Sequence, residues 1–411
     1  MSDESRGDEN LAVRITPLQV FLTFLRLGFT SFGGPVAHLG YFQTEFVERK
    51  KWLNQRAYAD LVALCQFLPG PASSQVGIGI GLTKAGIAGA FAAWIAFTTP
   101  SAVALAAFGY GVIAFEGVID SGAIHGLKVV AVAVVAQAVW GMARSLCPDA
   151  QRVTVAVLAA IGVLAAPGPL AQVGVIVAGG LVGLVLFRDD VDEEPTALGV
   201  GVGRGLAVSC LVLFFVGLIA LPFIAAGSSD QTLQLVDSFY RSGSLVFGGG
   251  HVVLPLLQNE VVPSGWVTDG AFLAGYGAAQ AVPGPLFTFS AYLGAVMGPE
   301  PNGVLGALIC LLAIFAPSFL LVIGALPFWD ALRRHRAMRN ALLGINAAVV
   351  GLLLAAFYSP VWTSGILSAS DFALAMIAFV LLVFWKVAPW LVVLLGAAGG
   401  WVVTLLPPVA G

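Results

Sequence analysis

Apolar stretches alternate with short polar punctuation along the chain, six before a charged run and seven after it. The first six lie near 15–40, 57–83, 87–115, 124–145, 153–166 and 170–187. The others lie near 205–226, 233–258, 271–297, 304–328, 337–358, 372–385 and 387–406. A bilayer-spanning helix needs about 20 predominantly apolar residues, and most of these stretches approach or exceed that length. The pattern predicts an all-α polytopic membrane protein. Between the blocks runs Arg188-Asp189-Asp190-Val191-Asp192-Glu193-Glu194-Pro195, the densest charge run in the chain and its natural linker.

The two blocks resemble each other. Phe24-Leu25-Arg26-Leu27-Gly28 leading to Phe32-Gly33-Gly34 matches Phe239-Tyr240-Arg241-Ser242-Gly243 leading to Phe247-Gly248-Gly249, at an offset of 215. Glu45 and Glu260 fall at the same offset. Gln66-x-x-Pro69-Gly70-Pro71 matches Gln280-x-x-Pro283-Gly284-Pro285 at 214. Pro100-Ser101 pairs with Pro317-Ser318, and Gly126 with Gly344. Chance in an apolar chain yields matching glycines and leucines, but not two such motifs at nearly constant spacing. An internal duplication follows. The domains expected are a tail 1–14, a repeat 15–187, a linker with an unpaired transmembrane helix 188–232, and a second repeat 233–411.

Composition agrees. Hydrophobic residues make up 59% of the chain and charged ones 10%, against roughly 45–50% and about 25% in soluble proteins. This excludes a secreted disulfide scaffold, a nucleic-acid binder and a conventional soluble enzyme. A net charge of −3 implies no polyanionic partner. Cys65, Cys147, Cys210 and Cys310 show no CxxC spacing and read as packing residues, with no disulfide or metal expected. The acidic start MSDESRGDEN lacks the basic region of a cleavable signal, so the first membrane segment is expected to be retained.

Lysine and arginine favour the cytoplasmic side of a membrane. Arg144, Arg152 and Arg188 are consistent with a cytoplasmic N-terminus, as is the cluster Arg333-Arg334-His335-Arg336 with Arg339. The counterpart of that cluster, 116–122, has no basic residue, so the repeats are expected to be inverted. One loop, Arg49-Lys50-Lys51 with Arg56, disagrees if the first segment crosses once. Either the Phe-Gly-Gly and Pro-Gly-Pro segments are broken helices that dip in and return, or the loop is external and attracts anions. The glycines and prolines favour broken helices.

An arginine at the centre of a membrane helix costs about 2.5–3.5 kcal/mol on insertion scales, so it is normally paired or functional. Arg26 and Arg241 occupy equivalent places in both copies, followed by Ser31, Gly33 and Gly34, and by Gly248, Gly249 and Gly250. A guanidinium fork with exposed backbone N–H groups suits an oxyanion. The alternative is that each arginine is a structural staple against Glu45, Asp60, Asp237 or Glu260. Gln66, Pro69, Gly70 and Pro71, with Ser73 and Ser74, and Gln280, Pro283, Gly284 and Pro285, with Thr288, are expected to line the path. For these the bland reading is a kink. Glu45, Glu260, His38 and His251 are candidates for proton or cation coupling; interface solvation and packing are the alternatives. No catalytic, metal or cofactor motif is present.

The run Phe24 to Pro35 with Gln66 to Pro71, and the second copy Phe247 to His251 with Gln280 to Pro285, resembles the chromate ion transporter family in its long, two-domain form. The second copy departs from the first with Val246 for Ser31 and Gly250 for Pro35. The resemblance implies inverted halves and export of chromate across the cytoplasmic (inner) membrane as a secondary transporter, conferring resistance. The partners expected are chromate, sulfate as a competing or exchanged anion because its shape and charge are nearly the same, the lipid bilayer, and a second copy of the chain in a homodimer. A transporter of the same build for sulfate or another oxyanion, a membrane-embedded enzyme and a membrane scaffold are the competing readings.

Overall fold

The computed structural model describes residues 15–114, 121–187, 202–332 and 335–405, and in it the apolar stretches are helices. The tail 1–14 and the charge run 188–195 lie outside the described residues, as do 115–120, Arg333 and Arg334.

Helix α1 (Pro17–Thr30) opens with a capping box: the Thr16 hydroxyl accepts from the Gln19 N–H, while the Gln19 side chain accepts from the Thr16 N–H. It stops before Gly33 and Gly34, which hold φ of 100° and 77°, conformations that carry no steric cost only for glycine. Helix α2 (Gly34–Phe42) continues through a π turn, Gln43–Arg49. Ile15 and Gln19 at the start of α1 share a pocket with Lys50, Lys51 and Trp52 just beyond that turn. The chain therefore returns to the side from which it entered.

Helix α3 (Gln55–Phe67) and residues 72–84 of α4 (Ala72–Ala114) make a second hairpin around Gly70. Helix α4 breaks at Ala85 and Gly86, and Gly81 and Gly89 let its two arms touch backbone to backbone. Its second arm, 87–114, then crosses. Helices α5 (Ser121–Leu146), α6 (Ala150–Ala165) and α7 (Pro169–Leu186) complete the first repeat. Helix α8 (Arg204–Ala226) stands between the repeats and turns Val212, Leu213, Phe215 and Ile219 outward, as a lipid-facing helix does.

The second repeat follows the same plan. Helix α9 (Gln231–Ser244) and α10 (Val253–Val261) flank the break at Gly248 and Gly249. Helix α11 (Asp269–Ala279) and α12 (Phe289–Val296) flank the one at Gly284, and the Gly298 N–H closes that hairpin on the Trp266 carbonyl at 3.0 Å. Helices α13 (Gly303–Ala325), α14 (Arg336–Ala356), α15 (Ala369–Val383) and α16 (Pro389–Leu405) finish the chain.

The repeats are inverted. Phe91 stacks on Phe319 at 4.6 Å and Trp94 packs against Phe315 at 5.5 Å. Tyr110, near the other end of α4, lies beside Gly303. Thus α4 and α13, the equivalent helices of the two copies, run antiparallel. The repeats also exchange a helix: α5 lies against α15 and α16, and α14 against α6 and α7. Gly126 meets Gly396 in the first crossing and Gly344 meets Gly179 in the second, so the matched glycines are matched crossing points.

With both hairpins returning, the chain direction puts Arg49, Lys50, Lys51, Arg56, Lys84, Arg144, Arg152, Arg336 and Arg339 on the face where α1 begins. The basic loop that disagreed with a single crossing agrees with broken helices.

Candidate functional site

The tips of the broken hairpins meet across the two repeats. The Gly70 N–H donates to the Val246 carbonyl at 2.7 Å, and the Gly284 N–H to the Ser31 carbonyl at 2.9 Å. These are the same contact made twice, once in each direction. Both acceptors are backbone atoms, which is why Val246 can stand where the first copy has Ser31. Gly70 and Gly284 hold φ of 127° and 99°. A Cβ on Gly70 would lie 3.1 Å from the Ser318 hydroxyl, and one on Gly284 would lie 2.8 Å from that of Ser101. Each Pro-Gly-Pro turn, with Pro69 and Pro71 or Pro283 and Pro285, is thus seated between the Phe-Gly-Gly turn and the Pro-Ser pair of the other repeat. Spacing within one copy does not reveal a role for the Pro-Ser pairs, because their partners lie in the opposite copy.

A cavity of about 510 Å³ opens between the tips. Gly33, Gly34 and Pro35 line it from the first repeat, and Gly248, Gly249, Gly250 and His251 from the second. Gln280 and Gly284 form a third side, and Gln137, Gly141 and Ser145 of α5 a fourth. Gln137 and Ser145 are lining residues that the motifs did not indicate. Among the described residues no Lys, Arg, Asp or Glu lines this cavity.

Its polarity comes from backbone and amides. Gly33 is the N-cap of α2 and Gly249 that of the short helix Gly250–Val252 leading into α10, neither with a side-chain cap. Pro35 would lie 3.1 Å from a Cβ at Gly250, so the two helix starts converge. Helix N-termini carry partial positive charge and unsatisfied N–H groups. The Gln280 amide nitrogen is buried with no hydrogen-bond partner among the described residues. His251 Nδ1 hydrogen-bonds the Tyr276 hydroxyl at 2.7 Å. Such a cradle can hold an anion without a fixed countercharge.

Other expected residues lie behind the cavity. His38 is buried, with Nε2 3.1 Å from the Ser31 carbonyl and Nδ1 3.3 Å from the Ser73 hydroxyl. A carbonyl only accepts, so Nε2 carries the proton and His38 fastens the first tip to α4. The hydroxyls of Ser31 and Ser74 are buried with no partner among the described residues. Thr288 donates to the Pro285 carbonyl at 2.7 Å and closes its own turn. Gln66 is exposed, unlike Gln280.

The two arginines are not brought together, and neither lines the cavity. Arg241 Nη2 donates to Asp237 at 2.7 Å and to Glu260 at 3.0 Å, and Ser238 donates to Glu260 at 2.9 Å. That is the staple arrangement. Arg26 is exposed on the stripe of α1 that carries Leu18, Leu22 and Phe29, with no ion pair among the described residues. Two local differences separate the copies. Leu22 stands at the place of Asp237, and Glu45 pairs with Arg49 at 3.0 Å and Lys50 at 4.0 Å instead of with Arg26.

The chromate transporter family model matches residues 18–184 and 233–401, one match per repeat. The chromate transport protein of Pseudomonas aeruginosa is 29% identical over 340 residues, 82% of this chain and 79% of that one. That of Cupriavidus metallidurans is 26% identical over 358 residues, 85% and 84% of the respective chains. The uncharacterized transporter YwrB of Bacillus subtilis is 32% identical over 182 residues, 42% of this chain and 85% of its own. No solved structure matches the chain.

Proposed function

The chain belongs to the chromate transporter family, and we propose that it is a secondary transporter exporting chromate across the cytoplasmic membrane, with chromate resistance as the result. The observation that carries this reading is the cavity between the tips, built from equivalent motifs of two inverted repeats. Chromate is a tetrahedral dianion that must be desolvated, held and released, with no bond made or broken. In the proposed site the N–H groups at Gly33–Gly34 and Gly248–Gly250 face the oxyanion from two sides, and the Gln280 amide supplies a further donor. A lining without fixed charge holds the anion weakly enough to let it go.

The paired tip contacts support an exchange of access between the two sides. Rocking one repeat against the other opens the Gly70–Val246 contact on one side while the Gly284–Ser31 contact holds the other, and then the reverse. Arg26, exposed and without an ion pair among the described residues, meets the anion on its way to the cavity; Arg241 braces its hairpin. The basic face where α1 begins is the cytoplasmic one. With a negative interior, exit of a dianion is downhill by about 2.3 kcal/mol per charge per 100 mV. Glu45, Glu260 and His251 stand as the coupling groups if a proton is exchanged.

The test is chromate flux in proteoliposomes containing the purified chain, together with chromate accumulation in cells that express it. Export predicts lower accumulation and a flux driven by membrane potential. Sulfate has nearly the same shape and charge, and its transport without chromate flux would replace this reading with the sulfate one. Chromate chemically converted, and not excluded, would favour an enzyme.

A further inference from the structure

The open end of the first hairpin differs from its counterpart in a way that the transport path does not use. Glu45 and Glu260 are 215 apart, but the N-caps of the following helices, Asn54 and Thr268, are 214 apart. The first copy therefore holds one extra residue, absorbed by the π turn Gln43–Arg49. By that register Trp52 matches Trp266 and Lys51 matches Gly265. Gly265 has φ of 74° and Lys51 has φ of 52°. The same left-handed position is filled by glycine in one copy and, against steric cost, by lysine in the other. π turns of this kind recur at functional sites.

The strained lysine faces a pocket. Lys50, Lys51 and Trp52 line a polar hollow of about 410 Å³ with Ile15 and Gln19 of the α1 start. Lys50 Nζ sits 5.3 Å from the centre of the Trp52 ring, and its nearest carboxylate, Glu45, is 4.0 Å away and already bonded to Arg49 at 3.0 Å. Below the hollow, α1 turns Leu18 and Leu22 outward. Cationic groups and a tryptophan above an apolar face reproduce the profile of a lipid with a negative head and aliphatic tails.

We infer that this pocket binds the phosphate of an anionic phospholipid, with Lys50 and Lys51 on the phosphate, the Trp52 ring at the headgroup level and an acyl chain along Leu18 at the start of α1, short of Arg26. The site is independent of the cavity between the tips.

Native mass spectrometry of the full chain in neutral detergent, titrated with phosphatidylglycerol or phosphatidylcholine, tests it. The variants are Lys51→Gly, which takes the residue of the equivalent turn and keeps the fold, and Lys50→Gln with Lys51→Gly. The wild type should retain phosphatidylglycerol in preference to phosphatidylcholine, and the double variant should bind it about thirtyfold more weakly. Equal retention by wild type and double variant would overturn the site. Displacement of the lipid by millimolar inorganic phosphate would overturn the lipid assignment in favour of a free anion.

Discussion

Gly284 gives its backbone N–H to the carbonyl of Ser31 at 2.9 Å, so the Pro-Gly-Pro turn of the second repeat is tied to the Phe-Gly-Gly turn of the first. The glycine is required twice over. Its φ is 99°, and a Cβ would meet the Ser101 hydroxyl at 2.8 Å and the Phe97 carbonyl at 3.2 Å. Gly284→Ala should cost about 1–3 kcal/mol and lower both the unfolding temperature in detergent and chromate flux. Gly40→Ala, where a Cβ meets nothing within 4 Å, is the control expected to leave both unchanged.

The exchanged helices make a second, symmetric prediction. A side chain at Gly126 would strike the Gly396 carbonyl, and one at Gly344 the Gly179 carbonyl. Gly126→Val and Gly344→Val should damage assembly alike, by about 1–3 kcal/mol or more, read as loss of monodisperse protein in size-exclusion chromatography. Gly174→Ala, which faces open space, should not. Unequal effects at the two crossings would break the equivalence of the repeats.

Lipid as solvent explains how much was legible beforehand. Apolar runs of membrane length and the glycines and prolines that interrupt them are local signals, so the segments, the breaks and the duplication could be read from one chain. The fall in offset from 215 at Arg26 to 214 at Gln66 was visible too; structurally it is the extra residue of the π turn. What spacing does not encode is which tip meets which. The Gly70–Val246 and Gly284–Ser31 contacts use backbone atoms far apart in the chain. Likewise, the sequence offers Asp237 and Glu260 as partners for an arginine, but only the structure separates the copies: Arg241 takes both, and Leu22 gives Arg26 no counterpart of Asp237.

That asymmetry separates the two arginines experimentally. Arg241→Met would leave Asp237 and Glu260 facing each other without their cation, at a cost of about 2–3 kcal/mol. Its main effect should be lost folded protein, partly restored by adding Asp237→Asn. Arg26 has no ion pair among the described residues to lose. Arg26→Met should fold normally and reduce chromate flux, and Arg26→Lys should recover part of it, since lysine keeps the charge but not the fork. Normal flux in Arg26→Met at normal membrane levels would remove that residue from the path.

The matched glutamines offer the sharpest test of where the anion sits. Gln66 and Gln280 open the same motif, yet Gln66 is exposed while Gln280 lines the cavity with a buried amide nitrogen lacking any partner among the described residues. In the proposed site an arriving oxyanion would satisfy this donor. Replacing it removes one charge-assisted hydrogen bond, about 1.5–3 kcal/mol. Gln280→Leu should therefore raise the KM for chromate by roughly ten- to a hundredfold with little change in unfolding temperature. Gln280→Glu should be worse, because a carboxylate offers no donor and repels the dianion. Gln66→Leu should stay close to wild type in KM. If both leucine variants weaken chromate equally, the two Pro-Gly-Pro motifs share the anion and the cavity between the tips is only part of the site.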